Sequence, residues 1–137
     1  MAELNWQRNQ ERNLKNITPE NAKQAIYMFD GDVYDGFSAY TLPESEIENM
    51  QEKVRILSGM YGVLKPLDLI QPYRMEMGKP LAVGTHKNLY DFWKKKITKQ
   101  FNSELSKNDF LINLASNEYF SVVDKKELKA TIITPEF

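Results

Sequence analysis

The chain has 137 residues, a hydrophobic share of 42% and a formal net charge of −1, which suits one domain with its own core. Two tryptophans, seven tyrosines and seven phenylalanines support a globular chain rather than a disordered one. No apolar run reaches the ~18 residues of a membrane span, and no signal-peptide pattern opens the chain; with no cysteine, a disulfide scaffold and a thiol switch are excluded within these residues.

A cytoplasmic location is the expectation. The slightly negative charge argues against a nucleic-acid binder on average, but charge is segregated along the chain. From Thr18 to Glu52 eight carboxylates face Lys23 alone. From Lys87 to Lys107 the bases Lys87, Lys94, Lys95, Lys96, Lys99 and Lys107 face only Asp91 and Glu104.

Thr18-Pro19-Glu20 reads as a helix start, with Thr18 as the cap and Pro19 at the first helical position. Ala22, Ala25, Ile26 and Phe29 follow at helical spacing, and Gly31 sits where a C-terminal cap belongs. Gly31 to Gly36 then reads as a loop. A second start lies at Thr41-Leu42-Pro43-Glu44, a capping-box spacing, with Ile47, Met50 and Val54 on the inner face.

From Ile56 to Gly84 periodicity fails, which predicts short pieces joined by turns. Asn88 to Lys107 is the clearest helix, with Leu89, Trp93, Ile97, Phe101 and Leu105 in one stripe. Phe110 to Leu114 reads as a buried strand, Ser116 as the cap of a short helix through Tyr119 to Val123, and Lys129 to Thr134 as a strand ended by Pro135. The whole predicts an α+β fold in a single mixed domain.

The most irregular stretch is Arg55 to Gly78, with three glycines and two prolines in an apolar frame. Gly and Pro weaken helix and strand interiors, so this stretch is the place to look for a site. It contains Leu57-Ser58-Gly59-Met60-Tyr61-Gly62-Val63-Leu64, Pro66-Leu67-Asp68 and Gln71-Pro72-Tyr73-Arg74-Met75-Glu76-Met77-Gly78. Together with Gly31-Asp32-Val33-Tyr34, Asn88-Leu89-Tyr90-Asp91-Phe92-Trp93 and Asn113-Leu114-Ala115-Ser116-Asn117-Glu118-Tyr119, these segments resemble the signature of the YaaA family, the bacterial peroxide-stress proteins. The family's Pro-Ala-Lys and Lys-Lys-Ala-Arg-Gly motifs find no match, so residues 1–137 are expected to be the central part of a YaaA-like domain, truncated at both ends. The resemblance implies a cytosolic protein that binds DNA through a helix-hairpin-helix-like element and protects against hydrogen peroxide by limiting free iron.

On that reading Ser58, Gly59, Tyr61 and Gly62 form a hairpin whose amides approach phosphates, helped by Arg55, Lys65 and Arg74. The partner would be duplex DNA, bound with little regard to sequence; Pro66, four residues after Gly62, limits the helix that could follow. A plain structural turn is the alternative. A different class of function, an enzyme with a small-molecule pocket, would draw on Tyr73, Arg74, Glu76, Asn113, Ser116, Glu118 and Tyr119. Alternation in Gln71–Gly78 places Tyr73 and Met75 on one face and Arg74 and Glu76 on the other, with Arg74 expected to be buried in a structural or pocket role. Where many family members carry a lysine after Glu-Tyr-Phe, this chain has Ser121, so no basic contact is expected there.

No catalytic residue, metal site, cofactor or membrane contact is expected. His86 is the only histidine, which excludes a site with several imidazoles, and Asp30, Asp32 and Asp35 miss the EF-hand spacing. Lys94-Lys95-Lys96 reads as a solvated face or, alternatively, a phosphate patch. The oligomeric state is not legible.

Overall fold

In the computed structural model, which describes residues 15–136, a turn and not the expected helix stands at Thr18. Asn21 explains the difference: its side-chain oxygen accepts from the Thr18 amide, and its own amide donates to the Thr18 carbonyl. This Asx-type closure competes with helix formation. The fold is a mixed α+β arrangement of short strands and helices, and its backbone contacts gather into two compact units.

The first unit runs to Ile56 and resumes at Leu64–Arg74. Strand β1 (Lys23–Gln24) pairs antiparallel with β4 (Leu69–Ile70), Lys23 opposite Ile70. Helix α1 (Ala25–Met28) follows at once. Its leading amides are satisfied from outside: Ala25 donates to Asp68 O and Ile26 to Pro66 O, each at 2.9 Å. The 65–68 turn is itself closed by the Asp68 carboxylate on the Lys65 amide, and Gln51 Oε1 accepts from Leu67.

Where a loop was expected after Gly31, the chain forms helix α2 (Asp32–Phe37). Gly31 precedes it at φ +126°, a conformation glycine adopts readily, and its carbonyl accepts from Tyr34 and Asp35. Asp32 and Asp35 then suit the positive end of the helix dipole. Phe29 and Tyr34 stack at 5.4 Å, and Tyr73 meets Phe29 edge-on at 6.0 Å.

Helix α3 (Glu44–Lys53) starts where the sequence indicates, without the Thr41 cap. The Thr41 hydroxyl donates instead to the Ser38 carbonyl. At the far end Arg55 Nη1 donates to the carbonyls of Gln51, Glu52 and Val54 at 3.2, 3.3 and 2.7 Å, closing the helix C-terminus.

The second unit comprises Leu57–Val63 and the chain from Met75 onward. Strands β2 (Ile56–Ser58) and β3 (Gly62–Leu64) pair as a hairpin. The long helix α4 (Leu89–Glu104) is capped by Asn88, whose side chain accepts from the Asp91 amide. Leu89, Ile97 and Phe101 are buried along its inner stripe, with Trp93 and Leu105 half-buried. They join Met77, Phe120, Val122 and Val123 in the core.

Strand β5 (Phe110–Ile112) runs parallel to β6 (Thr131–Ile133) in register, Leu111 opposite Ile132, with helix α5 (Asn117–Phe120) between them in sequence. The strand at Phe110 was expected to be buried, but only Leu111 turns toward the core while Phe110 and Ile112 are exposed. Helix α5 ends at Phe120, short of the expected Val123. Among the described residues no helix is long and apolar enough to cross a membrane.

Candidate functional site

The glycine hairpin is flanked by strands and not by the two helices expected of it. Ser58 is fully buried and its hydroxyl accepts from the Tyr61 amide at 3.0 Å. Both glycines are required by close approach. A Cβ on Gly59 would lie 2.5 Å from the Met75 carbonyl oxygen, and one on Gly62, at φ +80°, would lie 2.7 Å from the Trp93 ring. The Gly59 carbonyl accepts from Trp93 Nε1 at 2.9 Å. Packing against α4 and the 75–76 backbone therefore accounts for Ser58, Gly59 and Gly62, while Tyr61 is half-buried.

The basic residues expected beside the hairpin lie in the first unit. Arg55 spends Nη1 on the α3 carbonyls, Lys65 is half-buried in its turn, and Arg74 is exposed. The expected burial of Arg74 is thus overturned. Along this stretch Gln71 and Met77 are buried and Tyr73, Met75 and Glu76 half-buried, with no strand formed. Of the two residues expected on one face, Glu76 is half-buried and Arg74 is exposed.

Three of the residues assigned to a pocket come together in the second unit. Glu118 Oε1 accepts from the Gly78 amide at 2.9 Å, and the Tyr90 hydroxyl donates to the Glu118 carbonyl at 2.8 Å. A Cβ on Gly78 would stand 3.0 Å from the same carboxylate oxygen. Burial, then Glu118 and Glu76, push the Tyr119 phenol above its ordinary value, against a backbone hydrogen bond at Met77. Burial and then Glu118 raise Tyr90 likewise. Two phenols held protonated beside carboxylates are hydrogen-bond donors, and neither is a base near neutral pH.

The other pocket candidates have structural roles. Asn113 Oδ1 accepts from the Ala115 amide and its own amide donates to Ile133, continuing the β5–β6 ladder. Ser116 precedes α5, its carbonyl accepting from Phe120 and its side chain making no cap bond. Tyr73 packs on Phe29 in the first unit. Sequence reasoning missed Gly78 and Tyr90 as the partners of Glu118, although both lie inside quoted motifs; their pairing across 40 and 28 positions leaves no local signal.

The outer side of α4 is the cationic surface. Lys94, Lys95, Lys96 and Lys99 are exposed. Lys96 Nζ lies 3.5 Å from the Phe92 ring centre and 5.9 Å from that of Trp93, and donates to the Phe92 carbonyl. A shallow hollow there is lined by His86, Asp91, Phe92, Asp124 and the three consecutive lysines. Asp91 is committed to the loop before the helix, 3.3 Å from His86 Nδ1 and accepting from the Lys87 amide. Among the described residues no three His, Asp or Glu side chains stand close enough together to hold a metal ion.

A family profile described as peroxide stress protein YaaA matches residues 1–137. Curated relatives include a UPF0246 protein of Flavobacterium johnsoniae, 56% identical over 137 residues, covering 100% of this chain and 54% of the relative. A UPF0246 protein of Neisseria meningitidis serogroup A is 54% identical over 139 residues, covering 100% of this chain and 53% of the relative. One from Aliivibrio fischeri is 56% identical over 123 residues, covering 88% and 48%. The chain spans about half the length of the curated relatives it matches.

Proposed function

We propose, from the premise that this chain belongs to the YaaA family of peroxide stress proteins, that it contributes sequence-tolerant binding of duplex DNA to a cytoplasmic stress protein. The phosphate contacts come from the outer side of α4 and not from the glycine hairpin. The observation that carries this reading is the cluster of exposed lysines Lys94, Lys95, Lys96 and Lys99 on a helix whose opposite stripe is fixed in the core. Lysines act on phosphate as point charges and need no particular base sequence. The rigid inner stripe keeps their spacing constant. Limiting free iron belongs, in this reading, to the whole protein.

The test is fluorescence anisotropy with a labelled duplex at several salt concentrations. Replacing the four lysines by glutamine should weaken binding to unrelated sequences alike and flatten the salt slope by about 3–4, since each phosphate contact contributes about 0.9. Unchanged affinity and slope in the folded variant would overturn the assignment.

A small-molecule pocket is the second reading, and the meeting of Glu76, Glu118 and Tyr119 near Gly78 is what favours it. In that site the protonated phenols would serve as hydrogen-bond donors and the carboxylates as acceptors.

A further inference from the structure

Strands β5 and β6 carry apolar side chains on both faces. Leu111 and Ile132 point to the core, whereas Phe110 is 63%, Ile112 60% and Ile133 43% exposed. Leu114, beyond the end of β5, is exposed as well. Runs such as Phe110-Leu111-Ile112 and Thr131-Ile132-Ile133 are the pattern of strands covered on both sides, and parallel pairs occur almost only in that setting. Two parallel strands alone are too few to stand as a sheet with one bare apolar face.

We infer that the outward face of β5–β6 is an interface for a helix with an apolar stripe, supplied by polypeptide of the kind that makes up the other half of the longer relatives. The match covers 54% of the Flavobacterium johnsoniae relative, which leaves nearly as many residues again outside it. The face offers one aromatic and two branched aliphatic side chains with Thr131 as its polar member, and no charge among them. A parallel sheet is ordinarily covered by helices laid across it. The assignment concerns assembly of the fold and is independent of the DNA reading.

The absence of cysteine from the sequence makes the test direct. A cysteine placed as Ile112→Cys or Ile133→Cys is labelled with a maleimide, and the modified peptide is followed by mass spectrometry. One arm is this chain alone. The other is the full-length Flavobacterium johnsoniae relative with its matching stretch replaced by this chain. Both cysteines should react at least about tenfold more slowly in the full-length protein, because labelling then requires local opening, while an exposed control, Lys107→Cys, reacts equally in both. Equal rates at positions 112 and 133 in the two arms would overturn the inference, as would protection in the isolated chain that rises with its concentration, which would mean a second copy covers the face. A reading that does not depend on the chimera is the melting temperature of the isolated Ile112→Lys variant: it should stay within a few degrees of the parent, and a large fall would show the face already packed.

Discussion

The two sides of helix α4 treat motif-like residues in opposite ways. On the inner side the Ser58–Gly62 hairpin, the stretch most suggestive of a ligand loop, presses its glycines onto Trp93 and the Met75 carbonyl. On the outer side an ordinary-looking run, Lys94-Lys95-Lys96, stands in solvent with Lys99. Glycine is required both where a backbone meets a ligand and where it meets another part of the protein. Spacing in a sequence does not say which neighbour is present. A lysine run is more transparent, because the cost of burying four ammonium groups leaves them little alternative to the surface.

Substitutions should separate the two sides, and the inner one gives the largest effects. Gly62→Val adds a branched side chain at φ +80° and 2.7 Å from an indole carbon, so about 3–4 kcal/mol of stability should be lost from overpacking and left-handed strain together. Gly59→Ala meets a backbone oxygen that cannot rotate away and should cost about 2 kcal/mol. Both are read from urea midpoints. A folded Gly62→Val with unchanged midpoint and weakened DNA binding would restore the hairpin as the contact surface.

Trp93→Phe keeps a ring but loses the bond to the Gly59 carbonyl, and about 1–2 kcal/mol should follow from the stranded acceptor and the lost ring volume. Asn88→Ala should cost about 1 kcal/mol by removing the cap over the Asp91 amide. If duplex affinity falls in step with these stabilities, the lysine face depends on the helix as a whole; if it holds, the two sides are independent. On the outer side, replacing Lys94, Lys95, Lys96 and Lys99 by glutamine should move stability by no more than about 0.5 kcal/mol, as for other exposed positions.

The smallest effect is alkaline. The Tyr119 phenol is raised above its ordinary 10.0, so the folded state favours the neutral form. Its contribution is fully present below pH 10 and lost as pH rises through the folded value. Absorbance at the phenolate band should show Tyr119 and Tyr90 titrating above the ordinary value, and Tyr119→Phe should remove one of these two steps. A titration at or below pH 10 would show the ring unburied.

Much of the architecture was legible, and the failures have physical causes. The inner stripe of α4 and its Asn88 boundary follow from a 3.6-residue period with a side-chain cap, both local signals. Helix α2 was misread as a loop because Gly31 looked like the end of one helix and proved to be the start of the next, its carbonyl taking the Tyr34 and Asp35 amides. The Thr18 helix failed because Asn21 satisfied the Thr18 backbone locally. Glu76, Glu118 and Tyr119 could be named from their types, but not the Gly78 and Tyr90 contacts that organise them, since those pair residues far apart in sequence. Arg74 was misplaced because the stretch forms no strand: Met75 and Glu76 are both half-buried, so strict two-residue alternation does not set which side chains turn inward.

Trp93 lies at the seam between the two sides, its indole nitrogen bonded to Gly59 and its ring 5.9 Å from the Lys96 ammonium. That position makes it a built-in optical reporter. With Trp6→Phe it is the only indole in the chain, so its emission can be read without ambiguity. Lifting of the hairpin lets water reach the ring and shifts the spectrum to the red. An anion that draws Lys96 away from Phe92 and Trp93 leaves the indole bonded to Gly59 and acts mainly on its emission intensity. One titration followed at two wavelengths therefore tells a ligand on the helix from a loosened fold beneath it.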